Sequence, residues 1–172
     1  MLDITYGKGV FWRNVVRTNY QVVTNDLYTK ADVQADFGAL PFKDSFFDAI
    51  VFDPPYLYGG GTKTLVSHLD ENYGVRTQKR STSYADGLNL YNRGIAESRR
   101  LLKPGGILII KGMDSFQNGK FTSFIRDFFS PDGFRLEDVF VLVRSSPPLM
   151  RFKYQYHARK NHSYFLVYYK CV

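Results

Sequence analysis

Cysteine is almost absent from this chain: the one such residue, Cys171, stands beside the C-terminus. A single thiol closes no disulfide within the chain and builds no cysteine metal site, so a reducing, cytoplasmic setting is expected. Also lacking is a signal-peptide pattern, because a short strand-like run leads at once into Tyr6-Gly7-Lys8-Gly9. No apolar stretch is long enough to cross a bilayer, so no membrane partner is expected. Histidine is scarce, and His157 and His162 have no Cys or acid cluster at ligand spacing; no metal is expected. Internal repeats and low-complexity linkers are missing too. Acids are outnumbered, 16 against 23 Lys plus Arg, for a net charge of +7. That surplus attracts polyanions without saying which, and is shared equally with basic proteins that bind no nucleic acid.

What is present is globular composition. With 44% hydrophobic and 23% charged residues, a chain of 172 residues buries a sizeable core in one domain spanning 1–172. Aromatic residues make up 17%, enough to fill that core and leave rings over for stacking. Strand-like and helix-like runs alternate, the pattern of an α/β domain with a mostly parallel sheet. The patterning predicts strands over 1–5, 20–24, 33–35, 48–52, 107–110, 136–143 and 164–169. Helices are predicted over 10–17, 86–102 and 121–129. Between the fourth strand and the second helix, 57–85 reads as a long substrate-side loop, rich in turn formers and carrying Arg76, Lys79 and Arg80.

The sharpest signal is Asp53-Pro54-Pro55-Tyr56, directly after the compact β-rich run 48–52. Proline donates no backbone hydrogen bond, so the strand must end there, with the backbone held extended. In an open α/β sheet, ligands bind beyond the carboxyl ends of the strands. Asp53 and the Pro54 carbonyl are two acceptors able to hold one amine with its lone pair exposed. Tyr56 offers a face on which a base extruded from its helix can stack.

A second signal is the turn Asp3-Ile4-Thr5-Tyr6-Gly7-Lys8-Gly9. Glycines let backbone approach a ligand closely where a strand turns into a helix, although Gly-x-Gly alone reads equally as an ordinary turn. Asp26 closes the second strand, where it can bind ribose hydroxyls, and Asp36-Phe37 follow the third, offering an acceptor and a ring to an adenine. A last, basic stretch runs Arg151-Phe152-Lys153-Tyr154-Gln155-Tyr156, then His157, Arg159 and Lys160. As an extended segment it places cations on one face and rings on the other. That suits phosphates and stacked bases, and equally a solvated edge with a buried aromatic side.

These motifs resemble the class I S-adenosylmethionine-dependent amino-methyltransferases of nucleic acids, marked by Asp/Asn/Ser-Pro-Pro followed by an aromatic residue. The Asp form is similar to that of DNA adenine-N(6) methyltransferases; Ser is more usual for cytosine, and Asn also marks enzymes acting on a protein glutamine. The helix-to-strand turn Lys103-Pro104-Gly105-Gly106 resembles the same superfamily, whereas Ile4 and Thr5 stand where the adenine enzymes prefer Pro and Phe. The resemblance implies a Rossmann-like fold with a seven-stranded, mostly parallel sheet, an antiparallel last strand and helices on both faces. It implies catalytic roles for Asp53, Pro54, Pro55 and Tyr56. S-adenosyl-L-methionine would be held by Asp3, Thr5, Gly7, Gly9, Asp26, Asp36, Phe37 and Asp53. Nucleic-acid contacts are expected from Arg76, Lys79, Arg80, Arg151, Lys153, Arg159 and Lys160. The partner is DNA or, as the rival reading, RNA; a non-catalytic nucleic-acid-binding subunit of the same fold is the alternative from another class. Related enzymes have a segment before the first strand that closes over the cofactor, and a target-recognition domain. Their lack here implies a short or relaxed target site, a structured RNA as target, or a homodimer or partner subunit.

Overall fold

The computed structural model describes residues 1–15, 19–54, 84–117, 120–144 and 161–172. In chain order these form β1 (Leu2–Asp3), a 3₁₀ turn (Val10–Trp12), β2 (Val23–Thr24), β3 (Phe47–Phe52), α1 (Tyr84–Leu101) and β4 (Leu102–Gly112). Then follow β5 (Ser115–Gln117), β6 (Lys120–Thr122), α2 (Phe124–Asp127), β7 (Phe134–Val143) and β8 (His162–Lys170). Six strands make one sheet in the order β2-β1-β3-β4-β8-β7, and β5 and β6 form a separate antiparallel ribbon. β1 pairs in parallel with both β2 and β3, and β3 with β4, while β8 runs antiparallel between β4 and β7. The sheet is therefore mixed, with a parallel half and an antiparallel edge. Strand order reverses at β1, which places a topological switch point at the carboxyl ends of β1 and β3.

Side chains alternate across β3 and β4, and one face is fully covered. Ile50, Phe52, Leu108 and Ile110, with Leu166 and Tyr168 of β8, are each 0% exposed. α1 lies on this face with Tyr91, Ile95, Ser98 and Leu101 buried at helical spacing. Its close approach needs a glycine, since a Cβ on Gly94 would sit 2.2 Å from the Phe52 ring. α2 packs beside it: Tyr91, Phe124 and Phe128 form a ring cluster with centroid separations of 4.9 to 5.3 Å. On the other face the 3₁₀ turn brings Phe11 edge-on to Phe165 at 5.9 Å. Among the described residues the two α-helices lie on one face, so the expected helices on both faces are found on one. No helix among the described residues is long and apolar enough to cross a membrane.

Four predicted elements are altered. The third strand, expected at 33–35, is reduced to one parallel bridge between Asn25 and Val33. The Asn25 side chain replaces the ladder there: its Nδ2 donates to the carbonyls of Ile4 and Ala35, and its Oδ1 accepts from the Ala35 amide. The helix expected over 121–129 shortens to Phe124–Asp127, because Lys120–Thr122 pairs with β5 and Ser123 caps the helix by accepting from the Arg126 amide. The helix expected over 10–17 is the 3₁₀ turn Val10–Trp12, with 16–18 outside the described residues. β4 is longer than expected because Leu102 pairs with Phe47 before the Lys103-Pro104-Gly105-Gly106 bulge, and pairing resumes at Ile107 with Ala49. The bulge turns on Gly105, whose φ of 70° suits glycine.

Candidate active site

Asp53 follows the last residue of β3, so the sheet itself carries its backbone to the carboxyl edge. Its amide donates to Thr5 Oγ1 at 2.8 Å, which locks the end of β3 to the turn after β1. Thr5 is fixed in turn, because its amide donates to Asp3 Oδ1 at 3.0 Å and the indole Nε1 of Trp12 donates to Asp3 Oδ2 at 2.6 Å. Three of the predicted residues, Asp3, Thr5 and Asp53, are thus one hydrogen-bonded chain. Asp3 is 2% exposed, and its carboxylate is engaged inside the protein.

Burial pushes the Asp3 carboxyl up to about 6, against the opposing hydrogen bonds from Trp12 and Thr5 and with the help of the nearby Asp53 and Asp26 charges. A carboxyl raised in the folded state favours folding fully below its ordinary unfolded value near 4. That stability is lost as the pH climbs through about 6. Asp3→Asn removes this titration, so the loss of stability between pH 4 and 6 should shrink by about 2 kcal/mol. Urea unfolding of both proteins at the two pH values is the measurement. An equal pH dependence in both would show that Asp3 is not held as an acid.

The Asp53 side chain is met by Lys111, four residues after Ile107 on the neighbouring β4, with Nζ 2.6 Å from Oδ2. Both side chains are mostly buried, 20% exposed for Lys111 and 23% for Asp53. Burial raises the Asp53 carboxyl above the ordinary range, and the Lys111 charge and hydrogen bond oppose that rise without cancelling it. Oδ1 has no hydrogen-bond partner among the described residues. Pro54, buried, follows directly.

The glycine turn and the end of β2 form a second unit. The Gly7 amide donates to Asp26 Oδ2 at 2.9 Å, and the amides of Tyr28 and Thr29 donate to Asp26 Oδ1. Gly7 and Gly9 have φ of 55° and 68°, and a Cβ on Gly9 would fall 2.6 Å from the Tyr6 hydroxyl. Both glycines are required by backbone conformation. Asp36 accepts from the Gly38 amide and takes both hydrogen bonds from Arg93 of α1, which hold its carboxyl below the ordinary range against partial burial. Phe37 packs on Phe52, centroids 5.3 Å apart, so its ring lies against the strand that carries Asp53. Asp26 and Asp53 thus follow the ends of β2 and β3, and Asp36 lies three residues beyond the Val33 bridge. Carboxylate acceptors of this kind suit ribose hydroxyls, an exocyclic amine and a positive charge, those of Asp26 and Asp36 also accepting from Gly7, Tyr28, Thr29, Gly38 and Arg93.

Pro55, Tyr56, the loop 57–85 with Arg76, Lys79 and Arg80, and the basic residues Arg151, Lys153, Arg159 and Lys160 lie outside the described residues. Several residues at the carboxyl edge went unmarked in the motifs: Lys111, Trp12, Asn25 and Arg93. So did Asp114, which accepts from the Phe124 amide and the Tyr164 hydroxyl and lies 3.4 Å from His162 Nε2. Lys111 had a signal, a charged residue closing the buried run Ile107-Leu108-Ile109-Ile110. A cation there calls for a partner.

Residues 47–171 match the model of the N6/N4 methyltransferase family, described as DNA methylase. The chain belongs to this family. No curated protein is significantly similar to it. Among solved structures it resembles a SAM-dependent methyltransferase from Methanosarcina mazei, at 14% identity and a TM-score of 0.53, over 99% of this chain and 92% of that one. It also resembles the Burkholderia thailandensis 1,6-didemethyltoxoflavin-N1-methyltransferase, at 14% identity and a TM-score of 0.56, over 99% and 70%. A protein assigned as a DNA modification methylase from Thermus thermophilus, solved with S-adenosyl-L-methionine, is 20% identical over 77% of this chain, with a TM-score of 0.49. This chain spans 51% of that protein's length. At these identities the Methanosarcina and Burkholderia structures, with TM-scores above 0.5, establish the fold alone, and the family match carries the rest.

Proposed function

We propose that this protein transfers a methyl group from S-adenosyl-L-methionine to the exocyclic amine of a nucleic-acid base, adenine in DNA being the favoured target. The observation that carries the reading is Asp53. It closes a buried strand at the switch point, tied down through its amide by Thr5 and through Oδ2 by Lys111, and leads into Pro54-Pro55-Tyr56. Asp53 Oδ1 and the Pro54 carbonyl accept hydrogen bonds from the two N–H groups of the amine and leave the nitrogen lone pair directed away from both. Tyr56 supplies the stacking surface. The methyl donor would be held by Gly7, Gly9, Asp26, Asp36 and Phe37, with Asp3 acting from behind by fixing Thr5. Bound there, it would supply an electrophilic methyl group and leave as a neutral thioether, the methylated nitrogen then giving up one proton to water. The protein contributes orientation and a fixed electrostatic environment for the nitrogen as it becomes positive. Adenine is favoured over cytosine because the Asp form of the tetrapeptide resembles that of the adenine enzymes.

Incubating the protein with methyl-labelled donor and unmethylated DNA or RNA tests this reading. Label in DNA supports it, label in RNA alone moves the substrate to RNA, and label in neither overturns it.

Arg76, Lys79, Arg80, Arg151, Lys153, Arg159 and Lys160 are proposed as phosphate contacts. Changing Arg151, Lys153 and Lys160 together to Ala should weaken DNA binding and flatten log affinity against log salt by about one unit of slope per cation removed. Fluorescence anisotropy over a salt series measures this. An unchanged slope would make those residues ordinary solvated surface.

A further inference from the structure

Lys111 has no place in the chemistry described so far, yet it makes the one side-chain hydrogen bond given to Asp53 by the described residues. Its own position is closely determined. Its carbonyl accepts from the buried Tyr91 hydroxyl at 2.9 Å, and its ladder partner on β8 is Phe165. Its ammonium lies 5.9 Å from the centre of that ring. Gly112, next along the strand, has no room for a Cβ, which would sit 2.3 Å from Phe124. The strand is thus fixed on both sides of the ammonium, and the ammonium fixes the carboxylate.

We propose that Lys111 is the positioning residue for Asp53: it takes Oδ2, which turns Oδ1 toward the target amine and keeps the carboxylate in its accepting, ionised form. This rests on the reading of Asp53 given under Proposed function. The charged groups facing Asp53 among the described residues are Lys111 from β4 and Asp3 from β1, whose own carboxyl is raised in part by the Asp53 charge. Burial favours the protonated carboxyl of Asp53, and Lys111 is the cation that opposes it. A protonated Asp53 is a poorer acceptor for an amine. Without Lys111 its carboxyl is also free to rotate, and misplacement of a reacting group by about 1 Å costs on the order of 10²-fold in rate.

The test compares Lys111→Met, Lys111→Gln and Lys111→Arg with the unsubstituted protein, and Asp53→Asn alone with the Asp53→Asn, Lys111→Met double variant. Carbon-13 NMR follows titration of the Asp53 carboxyl, calorimetry measures methyl-donor affinity, and kcat/KM is taken across pH. Met and Gln should each move the Asp53 titration upward and carry the acid limb of kcat/KM to higher pH. They should lower kcat roughly 10- to 100-fold with donor affinity unchanged. Arg should restore the titration and most of the rate, and the double variant should be no worse than Asp53→Asn alone. An unmoved Asp53 titration in both neutral variants would overturn the proposal. So would weakened donor binding with kcat intact, which would assign Lys111 to the donor. Failure of the unsubstituted protein to transfer any methyl group would instead count against the proposed function, and the NMR titration would still decide what Lys111 does to Asp53.

Discussion

Asp53→Ala is expected to lower kcat by roughly 10²- to 10³-fold, the cost of losing one preorganised group at the reacting centre. Affinity for the methyl donor should stay close to that of the unsubstituted protein. The reason lies in the division of labour along the carboxyl edge. The donor's proposed partners lie on the glycine turn and after β2, where Gly7 is bound to Asp26 and Asp36 to Arg93. Asp53 is anchored apart from them, through its amide to Thr5, a bond that substitution of the side chain leaves intact. Removing the carboxylate should therefore disturb the target amine and spare the donor. Single-turnover kinetics with calorimetry separates the two. Full activity in Asp53→Ala would make Asp53 only a strand terminus, whereas loss of donor binding equal to loss of rate would place it on the cofactor side.

The largest stability effect is expected at Tyr91. This side chain is 0% exposed and sits among Phe52, Phe124 and Phe128, with its hydroxyl donating to the Lys111 carbonyl. Tyr91→Ala leaves a ring-sized cavity where α1, α2 and the sheet meet, and should cost about 3–5 kcal/mol. Tyr91→Phe keeps the packing and gives up one hydrogen bond, and should cost about 1 kcal/mol. Urea unfolding gives both numbers. Nearly equal losses would show that the hydroxyl, and not the ring, holds this junction. Because that hydroxyl touches the backbone of Lys111, Tyr91→Phe is also a sensitive background in which to remeasure methyl transfer.

The elements best foreseen from sequence are those whose signal and packing agree. β3, expected over 48–52, runs Phe47–Phe52, because a β-rich run met two prolines that could not continue it. α1, expected over 86–102, runs Tyr84–Leu101, because its apolar spacing coincides with the residues it buries. Misreadings arose where side chains took over from backbone. Asn25 satisfies Ala35 through its amide, and no periodicity reveals that a strand has been replaced in this way. Over 121–129, phenylalanines at helical spacing imitate a longer helix. Yet Phe121 and Phe129 are 50% and 61% exposed, and Ser123 already marked where the helix begins.

The site shows the same split. Asp53, Gly7 and Asp26 carry local signals in proline, glycine and strand-end acids, and the structure joins Gly7 to Asp26 directly. Thr5 and Asp3 were singled out as cofactor residues, while their hydrogen bonds run to Asp53 and Trp12. The Lys111–Asp53 pair joins residues 58 apart in the chain, and only the parallel register of β3 and β4 brings them together. No motif spans such a pair, and it surfaces only when the partner of a buried cation is sought.

The measurement that bears most directly on the central claim is mass spectrometry of nucleosides from DNA of a methylation-free host expressing this protein, beside the same host expressing the Asp53→Ala variant. The account predicts N6-methyladenine in the first DNA and its absence from the second. DNA free of any amino-methylated base in both, with the protein folded and the methyl donor bound, would contradict it.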